Sequence, residues 1–105
     1  MTAFRAVHRA PLEIGRVNAV YDQFVWPLGW ARAAPSRTAD GWVDLWYEAD
    51  SAAPSRRAAF AVVGTGWRYP AAGRRPVGTA VDAAGLVWHV LLIDDEDGGI
   101  PDDEL

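Results

Sequence analysis

The stretch Asp40-Gly41-Trp42-Val43-Asp44-Leu45-Trp46-Tyr47-Glu48 decides the fold class. Asp-Gly is a preferred pair for a tight hairpin because both residues tolerate positive φ. The residues after it alternate with the two-residue period of a strand. Val43, Leu45, Tyr47 and Ala49 share one face, which is apolar enough to be core. Trp42, Asp44, Trp46 and Glu48 share the other, and two indoles between two carboxylates describe a partly covered surface. The stretch is a strand with one side in a core and the other near solvent.

Its surroundings read the same way. Phe4 to Ile14 is a strand with Phe4, Ala6, His8 and Ala10 on one face and Arg5, Val7 and Arg9 on the other. Pro11 has no N–H to give a ladder, which places this strand at an edge or a bulge. Val20 to Trp26 is the next, and Pro27-Leu28-Gly29 turns the chain into a third at Trp30 to Ala34. Beyond Glu48, a polar loop from Asp50 to Arg57 leads to a strand at Ala58 to Val63 and the segment Gly64-Thr65-Gly66-Trp67. A short strand at Val77 to Val81 connects through Asp82-Ala83-Ala84-Gly85 to Leu86 to Ile93, whose apolar run fits a central strand covered on both faces. No segment sustains a helical period. The expected fold is all-β: a single small antiparallel sandwich or partly open barrel of six or seven short strands.

A chain of 105 residues holds one domain. We read it as residues 1–93, followed by an acidic C-terminal tail over residues 94–105. Residues 94–104 contain Asp94, Asp95, Glu96, Asp97, Asp102, Asp103 and Glu104, seven of the fourteen acids. The seven other acids face ten arginines, so a body of about +3 stands behind the formal net charge of -4. The tail either shields a basic face or serves as a solubilising terminus. It is expected to lie against an Arg-bearing surface of this subunit or a neighbour, with Ile100 and Leu105 as apolar anchors.

Several chemistries are excluded by composition. The chain has no cysteine, hence no disulfide, thiolate metal site or cysteine nucleophile. Only two histidines occur, His8 and His89, each inside an expected strand and without metal-ligand spacing. His89, between Val87 and Leu91 on its face, reads as a hydrogen-bonded structural histidine. Ser36, Ser51 and Ser55 lie in Pro-rich loops outside any G-x-S-x-G setting. Asp44 and Glu48 stand roughly 13 Å apart on one strand, too far for a two-carboxylate hydrolase. Gly64-Thr65-Gly66 lacks the lysine of a P-loop and the helix of a dinucleotide fingerprint, and reads as a tight turn or bulge. We therefore expect no enzyme activity, cofactor or metal.

Arg5, His8, Arg9 and Glu13 interrupt the first fifteen positions, and nothing approaches the ~20 apolar residues of a membrane helix. The expected location is cytoplasmic or virion-associated, with no membrane partner. All ten basic residues are arginine, a bias of GC-rich coding that points to a high-GC bacterium or one of its phages.

Six tryptophans are the outstanding feature of the composition. In so small a core some must stay partly exposed, and exposed Trp beside Arg is the make-up of an interface hot spot. Trp67, Arg68 and Tyr69 with Arg74 and Arg75 form the expected binding edge, and Trp42 and Trp46 add a second aromatic surface. Stacking on bases is conceivable chemistry for such residues. A body of only about +3 beside an acidic tail argues against nucleic acid and for a protein partner or self-association.

The ordered series His8-Arg9-Ala10-Pro11-Leu12-Glu13-Ile14, Pro27-Leu28-Gly29, Val43-Asp44-Leu45-Trp46, Asp50 to Pro54, Gly64-Thr65-Gly66, Val77-Gly78-Thr79 and Gly85-Leu86-Val87-Trp88-His89-Val90 resembles a small domain family of unknown function, common in tailed phages and their actinobacterial hosts. The resemblance runs from Val7 to Leu91. It implies a phage or prophage setting and no site residues. Trp67 stands where that family usually has His after Gly-Thr-Gly. The leading expectation is a non-catalytic, phage-encoded binding or assembly protein acting through a Trp/Arg surface, as a virion accessory subunit. The alternative is a small-molecule-binding protein or unrecognised enzyme with a pocket near Trp67, Arg68 and His89.

Overall fold

The computed structural model describes residues 2–37 and 39–93. Seven strands follow in chain order: β1 (Arg5–Glu13), β2 (Val17–Asp22), β3 (Ala31–Pro35), β4 (Trp42–Asp50), β5 (Arg56–Gly64), β6 (Arg74–Val81) and β7 (Val87–Ile93). Strands β1-β4-β3 form one sheet and β2-β5-β7-β6 another, and every pairing is antiparallel. The sheets stay separate, so the expected all-β sandwich is the architecture and a closed barrel is not. No helix occurs among the described residues.

One core lies between the sheets. Leu12, Val43, Leu45 and Tyr47 enter it from the first sheet, and Phe60, Val62, Val90 and Leu92 from the second. The alternation read in β4 holds on that side, with Val43, Leu45, Tyr47 and Ala49 all buried. On the outer side Trp46 is exposed, but Asp44 is only 6% exposed, with the Arg9 guanidinium 3.6 Å away. Pro11 sits on β1, an edge strand as its missing donor requires. Strand β7 lies between β5 and β6, and Val90 to Ile93 are all buried. That is the central strand its apolar run announced.

Two local expectations need correction. The chain does not form one strand from Val20 to Trp26. β2 ends at Asp22, whose carboxylate accepts the Gln23 N–H at 2.7 Å, and the following residues change sheets. Asp50 N donates to Gln23 O at 2.8 Å and Val25 N donates to Glu48 O at 3.1 Å, so this segment runs beside the end of β4 that β3 leaves bare. A run of apolar residues reads as one strand even when a bend divides it between two sheets. The second correction concerns Asp40-Gly41, which does not make a two-residue hairpin turn. β3 stops at Pro35, and residues 36–41 span the gap to β4. Only Gly41 takes positive φ, at +80°.

Candidate functional site

Strand β5 runs into Gly64, where the backbone turns back sharply. The Trp67 N–H donates to Gly64 O at 3.1 Å and Gly66 adopts φ +87°, so this glycine-rich segment is the tight turn expected of it. Gly64 also makes room. A Cβ there would stand 2.9 Å from Trp67 Nε1 and 3.2 Å from Trp88 Cζ3, so the missing side chain lets the Trp67 indole lie on the strand. The ring meets Trp88 edge to face, with centroids 5.6 Å apart. Trp67 is therefore held in place while 49% of it remains exposed, and Tyr69 follows with 44% exposed.

These two rings separate two cavities on the outer side of the four-stranded sheet. The first, of about 230 Å3, is walled by Trp67, Tyr69, Pro76, Leu91 and His89. His89 is hydrogen-bonded through both ring nitrogens: Nε2 lies 2.8 Å from Thr65 Oγ1 and Nδ1 lies 3.5 Å from Thr79 Oγ1. The second cavity, of about 250 Å3, has an apolar floor that includes Val17 and Ala61, and Arg16, Arg68 and Arg74 stand around it. No carboxylate lines it. Arg16 is paired with Glu13 at 3.2 Å, and Arg74 donates to Ala72 O at 3.3 Å. Arg68 and Arg74 have no carboxylate partner among the described residues.

The residues expected to bind are thus only partly brought together. Trp67, Arg68, Tyr69 and Arg74 share the second cavity. Arg75 does not join them: the β6 register places it opposite Leu92, and its guanidinium donates to Leu28 O at 3.4 Å. Trp46 lies on the outer face of the other sheet, with Arg9 5.7 Å from its ring and Arg32 opposite it on β3. Trp42 lines a third cavity of about 310 Å3 with Trp88, Asp40 and Asp82. Of the alternative trio, Trp67 and His89 share the first cavity and Arg68 faces the second. The expectation for residues 94–104 lies outside the described residues.

Sequence reasoning missed Arg16 and Val17, which the β1–β2 turn delivers to this surface. It also missed a polar cluster between the sheets. Tyr47 donates its hydroxyl to Asp22 Oδ2 at 2.5 Å, and His8 Nδ1 lies 2.7 Å from the same oxygen. Their separations of 25 and 14 residues leave no local spacing to read. Partial burial pushes the Asp22 carboxyl up, but the bonds from Tyr47, His8 and the Gln23 N–H outweigh it and hold it below its ordinary value. Burial, reinforced by the neighbouring carboxylate, pushes the Tyr47 phenol well above its own. Among the described residues no group of three or more His, Cys, Asp or Glu is placed to hold a metal ion. No helix there is long and apolar enough to cross a membrane.

Fold and site together define a small two-sheet β-sandwich with an arginine-flanked aromatic surface over its larger sheet. The chain belongs to the family described as domain of unknown function (DUF7352), whose model matches residues 4–98. No curated protein and no solved structure matches it.

Proposed function

We propose that the protein is a non-catalytic binding or assembly domain that engages a protein partner, or itself, through Trp67, Arg68, Tyr69 and Arg74. The observation that supports this reading is an indole locked by Gly64 and Trp88 yet half in solvent. A ring fixed before binding loses little conformational freedom on contact, and exposed Trp beside Arg is hot-spot chemistry. The resemblance of the motif series to a domain family of tailed phages and actinobacteria supports a phage or prophage setting. There the protein acts as a virion accessory subunit, and its detection in purified particles rather than infected cytosol tests that setting.

A second reading rests on the cavity that Trp67 shares with His89, as a small-molecule site. Its volume of about 230 Å3 falls below the roughly 300–1,000 Å3 typical of such sites, and both His89 nitrogens face threonine hydroxyls. The protein-binding reading is the stronger. Trp67→Ala is expected to weaken self-association or partner binding about thirtyfold, or ~2 kcal/mol, while the fold survives with a loss of about 1–2 kcal/mol from the packing on Trp88. Sedimentation velocity and urea unfolding of the same variant separate the two effects. A large loss of stability with unchanged association of the folded protein would assign Trp67 to the core.

A further inference from the structure

We infer that the cavity between Trp67, Arg16, Arg68 and Arg74 receives the acidic segment 94–104 of a second copy of this chain. The inference rests on the protein-binding reading and names its partner. Charge is the first argument: three guanidinium groups and no carboxylate line the cavity, and Arg68 and Arg74 lack an acidic partner among the described residues. Guanidinium–carboxylate pairs are geometrically favoured and, at an exposed site, sensitive to salt.

The second argument is the pattern of the acidic segment. It carries Asp94-Asp95-Glu96-Asp97 and Asp102-Asp103-Glu104 on either side of Gly98-Gly99-Ile100-Pro101. Aromatic-lined grooves take proline and its apolar neighbours. The rings of Trp67 and Tyr69 and the ring of Pro76 wall the adjoining cavity. Ile100 and Pro101 enter that cavity, which leaves acids on both flanks to meet the arginines. A segment given by each copy to the other closes as a two-fold dimer, the commonest symmetry of soluble assemblies.

Complementation between two full-length variants tests this in the analytical ultracentrifuge. The native protein is expected to dimerise at low ionic strength and dissociate as salt is raised. Arg68→Glu with Arg74→Glu spoils the receiving site. Replacement of the seven acids of residues 94–104 by their amides spoils the segment. Each variant alone is expected to associate at least tenfold more weakly, with an unchanged far-ultraviolet circular dichroism spectrum. Their mixture is expected to regain association, because one still has the site and the other the segment. Recovery on mixing is the signature of docking between copies. Two variants that stay apart when mixed overturn the inference, and so does docking of the segment on its own chain, seen as a native protein monomeric at every concentration. A monomer whose binding to a foreign protein still depends on Trp67 leaves the broader reading standing. Indifference of every association to Trp67→Ala removes that reading as well.

Discussion

Phe24→Ala is expected to destabilise the fold by about 3–5 kcal/mol, as loss of a buried aromatic ring does. Phe24 belongs to none of the seven strands; it makes a single bridge to Ala49 after β2 has ended. Yet it is 1% exposed, with its ring centroid 4.6 Å from Tyr47 and 6.2 Å from both Trp26 and Phe60. It fills the space where the chain crosses between sheets, among the rings of Trp26, Tyr47 and Phe60. Tyr21, three residues earlier and inside β2, is 73% exposed. Tyr21→Ala is therefore expected to cost no more than ~1 kcal/mol. Equilibrium urea unfolding of the pair measures the contrast. Against a total of about 5–15 kcal/mol for a typical domain, the Phe24 loss moves the midpoint far and the Tyr21 loss barely moves it. Similar small losses at both sites would remove Phe24 from the core.

The same contrast explains which parts of the fold the residues announce. Strand β4 is legible because one face contacts a continuous core, so Val43, Leu45, Tyr47 and Ala49 had to alternate with polar or amphipathic neighbours. Strand β7 is legible because it is buried, and Pro11 marks an edge because a proline cannot donate. What stays hidden is decided by partners distant in sequence. The bend after Asp22 depends on hydrogen bonds to Glu48 and Asp50, and no propensity of Gln23-Phe24-Val25 encodes it. Asp40-Gly41 does lie in a turn, with Gly41 at φ +80°, but β3 ends at Pro35, so the turn belongs to a longer connection than the pair suggested.

The candidate surface divides along the same line. Trp67, Arg68 and Tyr69 are neighbours in the chain, so their clustering could be read directly, and Arg74 follows a few residues on, at the start of β6. Arg75 illustrates the limit, because a strand sends adjacent side chains to opposite faces and only the register fixes which of two arginines reaches the cavity. Arg16 arrives from another turn altogether. The His8–Asp22–Tyr47 cluster joins three strands, β1, β2 and β4, and each member alone looked like an ordinary strand residue.

That cluster carries the second large effect. Asp22→Ala is expected to cost about 3 kcal/mol, because it strips an acceptor from the buried Tyr47 hydroxyl and from the Gln23 N–H at once. Asp22→Asn keeps an acceptor and is expected to cost less than half as much. Proton linkage supplies an independent check. The folded state holds the Asp22 carboxyl below its ordinary value of 3.8. Its contribution is complete above pH ~4 and is lost as pH falls through the folded value. Tyr47 is shifted the other way from 10.0, so its contribution is complete below pH ~10 and is lost as pH rises toward the folded value. Urea midpoints of the native protein are thus expected to decline at both ends of the pH range. In Tyr47→Phe the alkaline decline should shrink. The acid decline should shrink too, because the carboxylate has lost the phenol that favours its charged form. An acid limb identical in the native protein and Tyr47→Phe would show that the phenol does not hold the Asp22 charge.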